Sequence, residues 1–167
     1  MATQGHDPDP IAEAHRLWVE QGWEGAADGM AAITSLMRAH QIALGRVESV
    51  LKPLGLSFAR YEVLMLLRLS RRGTLPMGVI GSRLQVHPTS VTNAVDRLEA
   101  AGLVERQPHP TDRRAILVAL TADGRKVADK ATDALNGSVF LDPGLSASGV
   151  RTLVKVLRQM RRDAGDF

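Results

Sequence analysis

The chain has 167 residues, a formal net charge of +3, 44% hydrophobic residues and no cysteine. That length supplies one ordinary core and leaves little for a second, and the missing thiols exclude disulfides, thiolate metal sites and thiol-based redox sensing. The charge is divided unevenly: residues 1–30 hold six acids against one base, and 17 of the 21 basic residues are arginine, the cation suited to bidentate contact with phosphate and guanine.

Residues 1–10 are polar with two Asp-Pro pairs and read as a disordered tail. Residues 11–23 read as a short amphipathic helix ending near Gly22. From about Ala26 a long helix follows, with Met30, Ile33, Met37, His40, Leu44, Val47 and Leu51 recurring at spacings of three and four until Pro53 and Gly55 end it. Such a stripe must be buried against something, which predicts a dimer interface. The next helix, 58–69, is apolar on most faces and is expected to be buried, with Ser70, Arg71, Arg72 and Gly73 closing it.

The stretch 75–120 carries most of the functional signal. A short helix at 76–84 is followed by the run HPTSVTNAVDRL at 87–98, in which Val91, Val95 and Leu98 form the docking stripe and Thr89, Thr92 and Asn93 face outward. Short hydroxyl and amide groups at a Pro-started helix suit base edges and phosphates, with Ser90 at the helix start adding a phosphate clamp. Arg97 admits two readings, a phosphate contact or a pair with a neighbouring acid. Gly102 stops the helix, Leu103-Val104 begins a strand, Pro108 to Arg114 forms a turn-rich tip, and 115–120 (AILVAL) is the returning strand. Arg113 and Arg114 at that tip suit the narrow minor groove, although Asp112 pairing with one of them to stiffen a turn is the competing reading. The order helix, helix, strand, arginine-rich tip, strand is a winged helix-turn-helix. Thr121 then caps a helix to about Asn136, Asp142-Pro143-Gly144 breaks the chain, and Ser146 caps a last helix striped by Val150, Leu153, Leu157 and Met160.

Nothing points to catalysis. There is no phosphate loop, dinucleotide fingerprint, zinc-protease spacing or nucleophile elbow, and no two of the histidines at 6, 15, 40, 87 and 109 share a helical face with a carboxylate. No enzyme activity, cofactor or metal is therefore expected. No apolar run approaches the roughly 20 residues of a membrane span, and the acidic start lacks a signal-peptide pattern, which predicts a cytoplasmic protein with no membrane partner.

From about residue 56 to 124 the chain resembles the MarR family of bacterial winged-helix regulators. The residues that carry this are Tyr61-Glu62-Val63-Leu64, Thr89-Ser90-Val91-Thr92, Val95-Asp96-Arg97-Leu98-Glu99, Gly102-Leu103-Val104, Asp112-Arg113-Arg114 and Leu120-Thr121-Ala122-Asp123-Gly124. The resemblance implies a mainly α fold with a small β-wing. Residues 11–167 then form a single domain, with dimerisation helices at 11–55 and 121–167 around a winged helix-turn-helix at 56–120. It implies a homodimer on a pseudo-palindromic site in double-stranded DNA, a repressor role, Asp112 pairing with Arg114, and release by a small hydrophobic or aromatic effector. The absence of cysteine separates the chain from the family's peroxide-sensing branch. Trp18, Trp23 and Glu62 resemble a urate-responsive branch, with Glu where that branch has Asp. Candidate effector contacts are Trp18, Trp23, Met37, His40, Tyr61 and Met65, which bring adaptable bulk and polarity to the dimer helices. His40 is read either as a satisfied core histidine or as a ligand contact. The alternative is a constitutive or architectural winged-helix binder without ligand control.

Overall fold

Asp9 opens the first helix: its carboxylate accepts the Ile11 N–H at 3.0 Å, and Pro10 brings a preset helical φ to the first turn. The structure, a computed structural model, describes residues 9–112 and 115–167. It resolves into two compact units, the first ending at Arg46 and the second comprising Val47–Phe167.

In the first unit α1 (Pro10–Glu20) turns at Gly22, whose φ of 82° is left-handed, into α2 (Glu24–Leu51). The two helices meet at an edge-to-face pair, Trp18 and Trp23, with ring centroids 5.1 Å apart. His15 Nε2 lies 2.8 Å from Asp28 Oδ1 across the same corner. Of the expected seam, Ile33, Met37 and His40 are exposed, while Val47 and Leu51, in the last turns of α2, belong to the core of the second unit.

That core forms around α3 (Phe58–Leu69), which buries Tyr61, Val63, Leu64 and Leu67. Ser57 caps it by accepting the Arg60 N–H. Ile80 from α4 (Met77–Leu84), the stripe Val91, Val95 and Leu98 from α5 (Pro88–Ala100), and Ala128, Ala131 and Leu135 from α6 (Ala122–Leu135) complete it. The sheet contributes Val104 and Val118. Its order is β1-β3-β2, antiparallel throughout, with β1 (Thr74–Pro76), β2 (Val104–Pro108) and β3 (Ile116–Leu120). The fold is thus mainly helical with a small antiparallel wing, as the sequence predicts.

Two features lie beyond that expectation. The three-residue β1 pairs Thr74 with Ala119 and Leu75 with Val118; a Thr-Leu-Pro run is too short to show alternation. After α6 the chain makes one turn of π-helix, Asn136–Phe140, before α7 (Ala147–Asp163), which buries none of its residues.

Two junctions hold the wing to the body. The Gly102 N–H donates to the Glu99 carbonyl and the Leu103 N–H to the Leu98 carbonyl, both at 2.9 Å, closing α5 with Gly102 at φ 70°. The Thr121 hydroxyl shares its proton between the Gly102 and Leu103 carbonyl oxygens, at 2.9 and 3.0 Å, and accepts the Gly124 N–H at 2.9 Å. One side chain therefore caps α6 and ties it to the root of β2. Gly124 is in turn so close to this root that a Cβ there would stand 1.9 Å from the Leu103 oxygen.

Candidate nucleic-acid interface

A helix used to read a ligand must bury one face and leave the other unsatisfied. In α5, Val91, Ala94, Val95 and Leu98 are buried, and Thr89, Ser90, Thr92, Asn93, Asp96 and Arg97 are exposed. The hydroxyl of Thr92 donates to the Pro88 carbonyl at 3.1 Å, which leaves its oxygen lone pairs and its methyl group outward. Arg97 forms no ion pair with any described residue. Its alternative reading, a pair with a neighbouring acid, is therefore not the arrangement found.

The neighbouring acids are taken by a residue that the sequence did not single out. Arg106, on β2, donates Nη2 to Asp96 Oδ1 at 2.5 Å, Nη1 to Glu99 Oε2, and its backbone N–H to Glu99 Oε1 at 3.0 Å. Burial works against the charge of this guanidinium, and its hydrogen bonds to Asp96 and Glu99 outweigh it, holding Arg106 above the ordinary arginine value. Both carboxylates on α5 are thus paired to one guanidinium from the wing, which offsets half of their charge. Glu99 and Arg106 flank the Gly102 turn seven residues apart, a spacing that no helical or strand template highlights.

At the wing, the His109 N–H donates to the Ala115 carbonyl at 3.3 Å and the Asp112 N–H donates to His109 Nδ1 at 3.1 Å. Asp112 is exposed. Arg113 and Arg114, and with them the expected Asp112–Arg114 pairing, lie outside the described residues.

Between α4 and α5 an apolar cleft of about 460 Å³ is lined by Met77, Gly78, Gly81, Val86, Pro88 and Val91. Gln85, in the turn between these helices, takes a left-handed φ of 55°. Its side chain donates to the Asp166 carbonyl and accepts from Arg161 Nη2 at 3.2 Å, near the end of α7.

The expected effector contacts fall in separate units. Trp18 and Trp23 border an open apolar hollow of about 500 Å³ with Gly22, Gly25 and Ala26, and Met37 and His40 are exposed on α2. In the second unit Tyr61 is buried, its hydroxyl 3.1 Å from the Thr132 hydroxyl, which itself lies 3.0 Å from Met65 Sδ. Glu62, beside them in sequence, has its carboxyl pushed above the ordinary 4.5 by burial. Among the described residues no cluster of His, Asp or Glu could hold a metal, and no helix is long and apolar enough to cross a membrane.

Comparison with known proteins places this geometry. A family model described as the MarR family matches residues 54–115. The chain is 30% identical over 112 residues to the multiple antibiotic resistance protein MarR of Escherichia coli, covering 66% of this chain and 76% of that one. It is 31% identical over 85 residues to the HTH-type transcriptional regulator YhbI of Bacillus subtilis, covering 51% of this chain and 54% of YhbI, so it spans about half the length of that relative. Among solved structures, Sco5413 of Streptomyces coelicolor, a MarR family transcriptional regulator, is similar at a TM-score of 0.76 and 50% identity over 84% of this chain and 97% of that one. Sco3205 of the same organism, solved in complex with DNA, gives 0.70 and 25% over 80% and 88%. CouR of Rhodococcus jostii, bound to p-coumaroyl-CoA, gives 0.63 and 26% over 75% and 87%.

Proposed function

The chain belongs to the MarR family, whose members are non-enzymatic DNA-binding transcription factors, and we propose that it is a sequence-specific regulator that binds duplex DNA as a homodimer. The observation that carries this reading is α5: its apolar face is fully engaged in the core, and its outward face presents Thr89, Ser90, Thr92 and Asn93 with Asp96 and Glu99 already paired to Arg106. Thr89, Thr92 and Asn93 read base edges, Ser90 and Arg97 hold phosphate, and Arg113 or Arg114 enters the minor groove with Asp112 shaping the wing. That Sco3205, of similar fold, was solved in complex with DNA supports DNA binding as the use of this fold.

Two copies related by a two-fold axis place half-sites about one helical turn, roughly 10 bp, apart. Repression is the proposed outcome, and release by a small hydrophobic or aromatic effector is proposed on the strength of CouR, which was solved with an aromatic acyl thioester. Trp18, Trp23, Met37 and His40 in the first unit, and Tyr61 and Met65 in the second, are the residues to vary in effector titrations.

Selection of duplexes from a randomised pool by the purified chain, followed by footprinting, tests the reading. A pseudo-palindrome protected over two half-sites is expected, and Asn93→Ala is expected to weaken binding to it by about 1–3 kcal/mol while barely changing binding to unselected DNA. A footprint of one isolated half-site per monomer, or equal losses on both DNAs, contradicts it.

A further inference from the structure

The tripeptide His-Pro-Thr occurs twice in the chain, at 87–89 and at 109–111. One copy starts α5 and the other forms the bend that leaves β2, so the repeats mark the two segments proposed to face DNA. Both imidazoles do the same thing. His87 Nδ1 accepts the Thr89 N–H at 3.3 Å, and His109 Nδ1 accepts the Thr111 N–H at 3.4 Å. In the second copy the same nitrogen also accepts the Asp112 N–H at 3.1 Å and lies 3.4 Å from the Thr111 hydroxyl.

The chemistry of the repeat explains the shared geometry. Proline lacks an N–H and fixes its own φ, so the first amide available after the histidine is that of threonine. Histidine is not among the residues that usually cap helices, which are Ser, Thr, Asp and Asn. Here the ring takes their place, and it does so only while Nδ1 keeps its lone pair, that is, as a neutral imidazole with its proton on Nε2.

We propose that His87 and His109 are positioning residues for DNA recognition, each using Nδ1 to fix the threonine amide two residues on and thereby the start of the recognition helix and the bend of the wing. The proposal rests on the DNA-binding reading above. Bonds of 3.1 to 3.4 Å are long and lie on exposed or half-buried segments, so they contribute little to whether the chain folds. They matter at binding, because a segment already ordered in its bound shape is spared the ordering cost that otherwise subtracts from affinity.

The test uses the full chain with the selected duplex and an unselected duplex of equal length. His87→Ala and His109→Ala are each expected to weaken binding to the selected duplex about three- to tenfold, the range that one hydrogen bond shifts an equilibrium. The slope of affinity against salt should stay unchanged, and the thermal midpoint should fall by no more than a few degrees. Asn at either position keeps a side-chain acceptor in capping reach, so His87→Asn and His109→Asn should recover most of the loss. A shallower salt slope in the alanine variants overturns positioning in favour of direct phosphate contact. Asn variants as weak as the Ala variants, or no loss in any variant, overturn it too. Long-range proton–nitrogen correlation spectra of the wild-type imidazoles provide an arm independent of variant folding: an unprotonated Nδ1 is expected in both rings, and a protonated one contradicts the proposal. A wild-type chain that enriches no duplex overturns both readings, whereas an enriched duplex bound alike by all four variants overturns only this one.

Discussion

At the scale of single residues, two positions make the sharpest demands. Gly124 sits where a methyl group would meet the Leu103 oxygen at 1.9 Å and Leu120 Cδ1 at 2.9 Å. The clash is with backbone and cannot be relieved by a rotamer, so Gly124→Ala is expected to destabilise the chain by about 1–3 kcal/mol or more in a urea titration. Wild-type stability in that variant would mean that α6 can slide away from the β2 root. Glu62 makes a different demand. Its folded pKa is raised by burial, so the fold favours the protonated form, and the associated stability is present below about 4.5 and is lost as pH rises through the folded value. Glu62→Gln should therefore leave the thermal midpoint nearly unchanged at pH 4 and raise it at pH 7. An equal midpoint shift at both pH values would remove the carboxyl from the pH dependence. Both residues stand in the motifs that carry the family resemblance, but neither the close approach at Gly124 nor the burial of Glu62 is visible in the sequence, because both depend on how α6 and α3 pack. Thr89, Thr92 and Asn93 were legible because a polar outward face stands against a clear apolar stripe on the same helix.

At the scale of elements, apolar periodicity exposed α2, α5 and α7, while caps and the Gly102 stop exposed α6 and the start of the wing. What it could not expose is how elements are held to one another. β1 is three residues long and ends in proline, and its register exists only through β3. The bridge from Arg106 to Asp96 and Glu99 joins β2 to α5 through side chains seven and ten residues apart. Arg106 is 24% exposed in its side chain and its partners 54% and 39%, so the direct cost of losing it is modest, about 1 kcal/mol after solvent screening. The cost in DNA binding should be larger, because Arg106→Gln uncovers two carboxylates on the reading helix, opposite phosphate. The loss of affinity is expected to be greatest at low salt and to be largely reversed by adding Asp96→Asn and Glu99→Gln. If the triple variant binds no better than Arg106→Gln, the bridge acts through shape and not through charge.

At the scale of the whole molecule, the sequence predicted helices that pair with a second copy, and α7 is the plainest sign of that need. It buries none of its residues, and Leu153, Val154, Val156 and Met160 are 44% to 59% exposed, an apolar surface that a monomer in water does not maintain without reason. Leu153→Glu is expected to leave the fold intact and to shift the chain from dimer to monomer in sedimentation, with selected-site affinity falling about 10²- to 10⁴-fold as two-handed binding is lost. A variant that stays dimeric would locate the interface elsewhere. The far end of the same helix has a practical consequence. Asp166 and Arg161 hold the Gln85 side chain, in the turn that leads into α5, so surface substitutions chosen at either residue for solubility or crystallisation would also alter the approach to the reading helix.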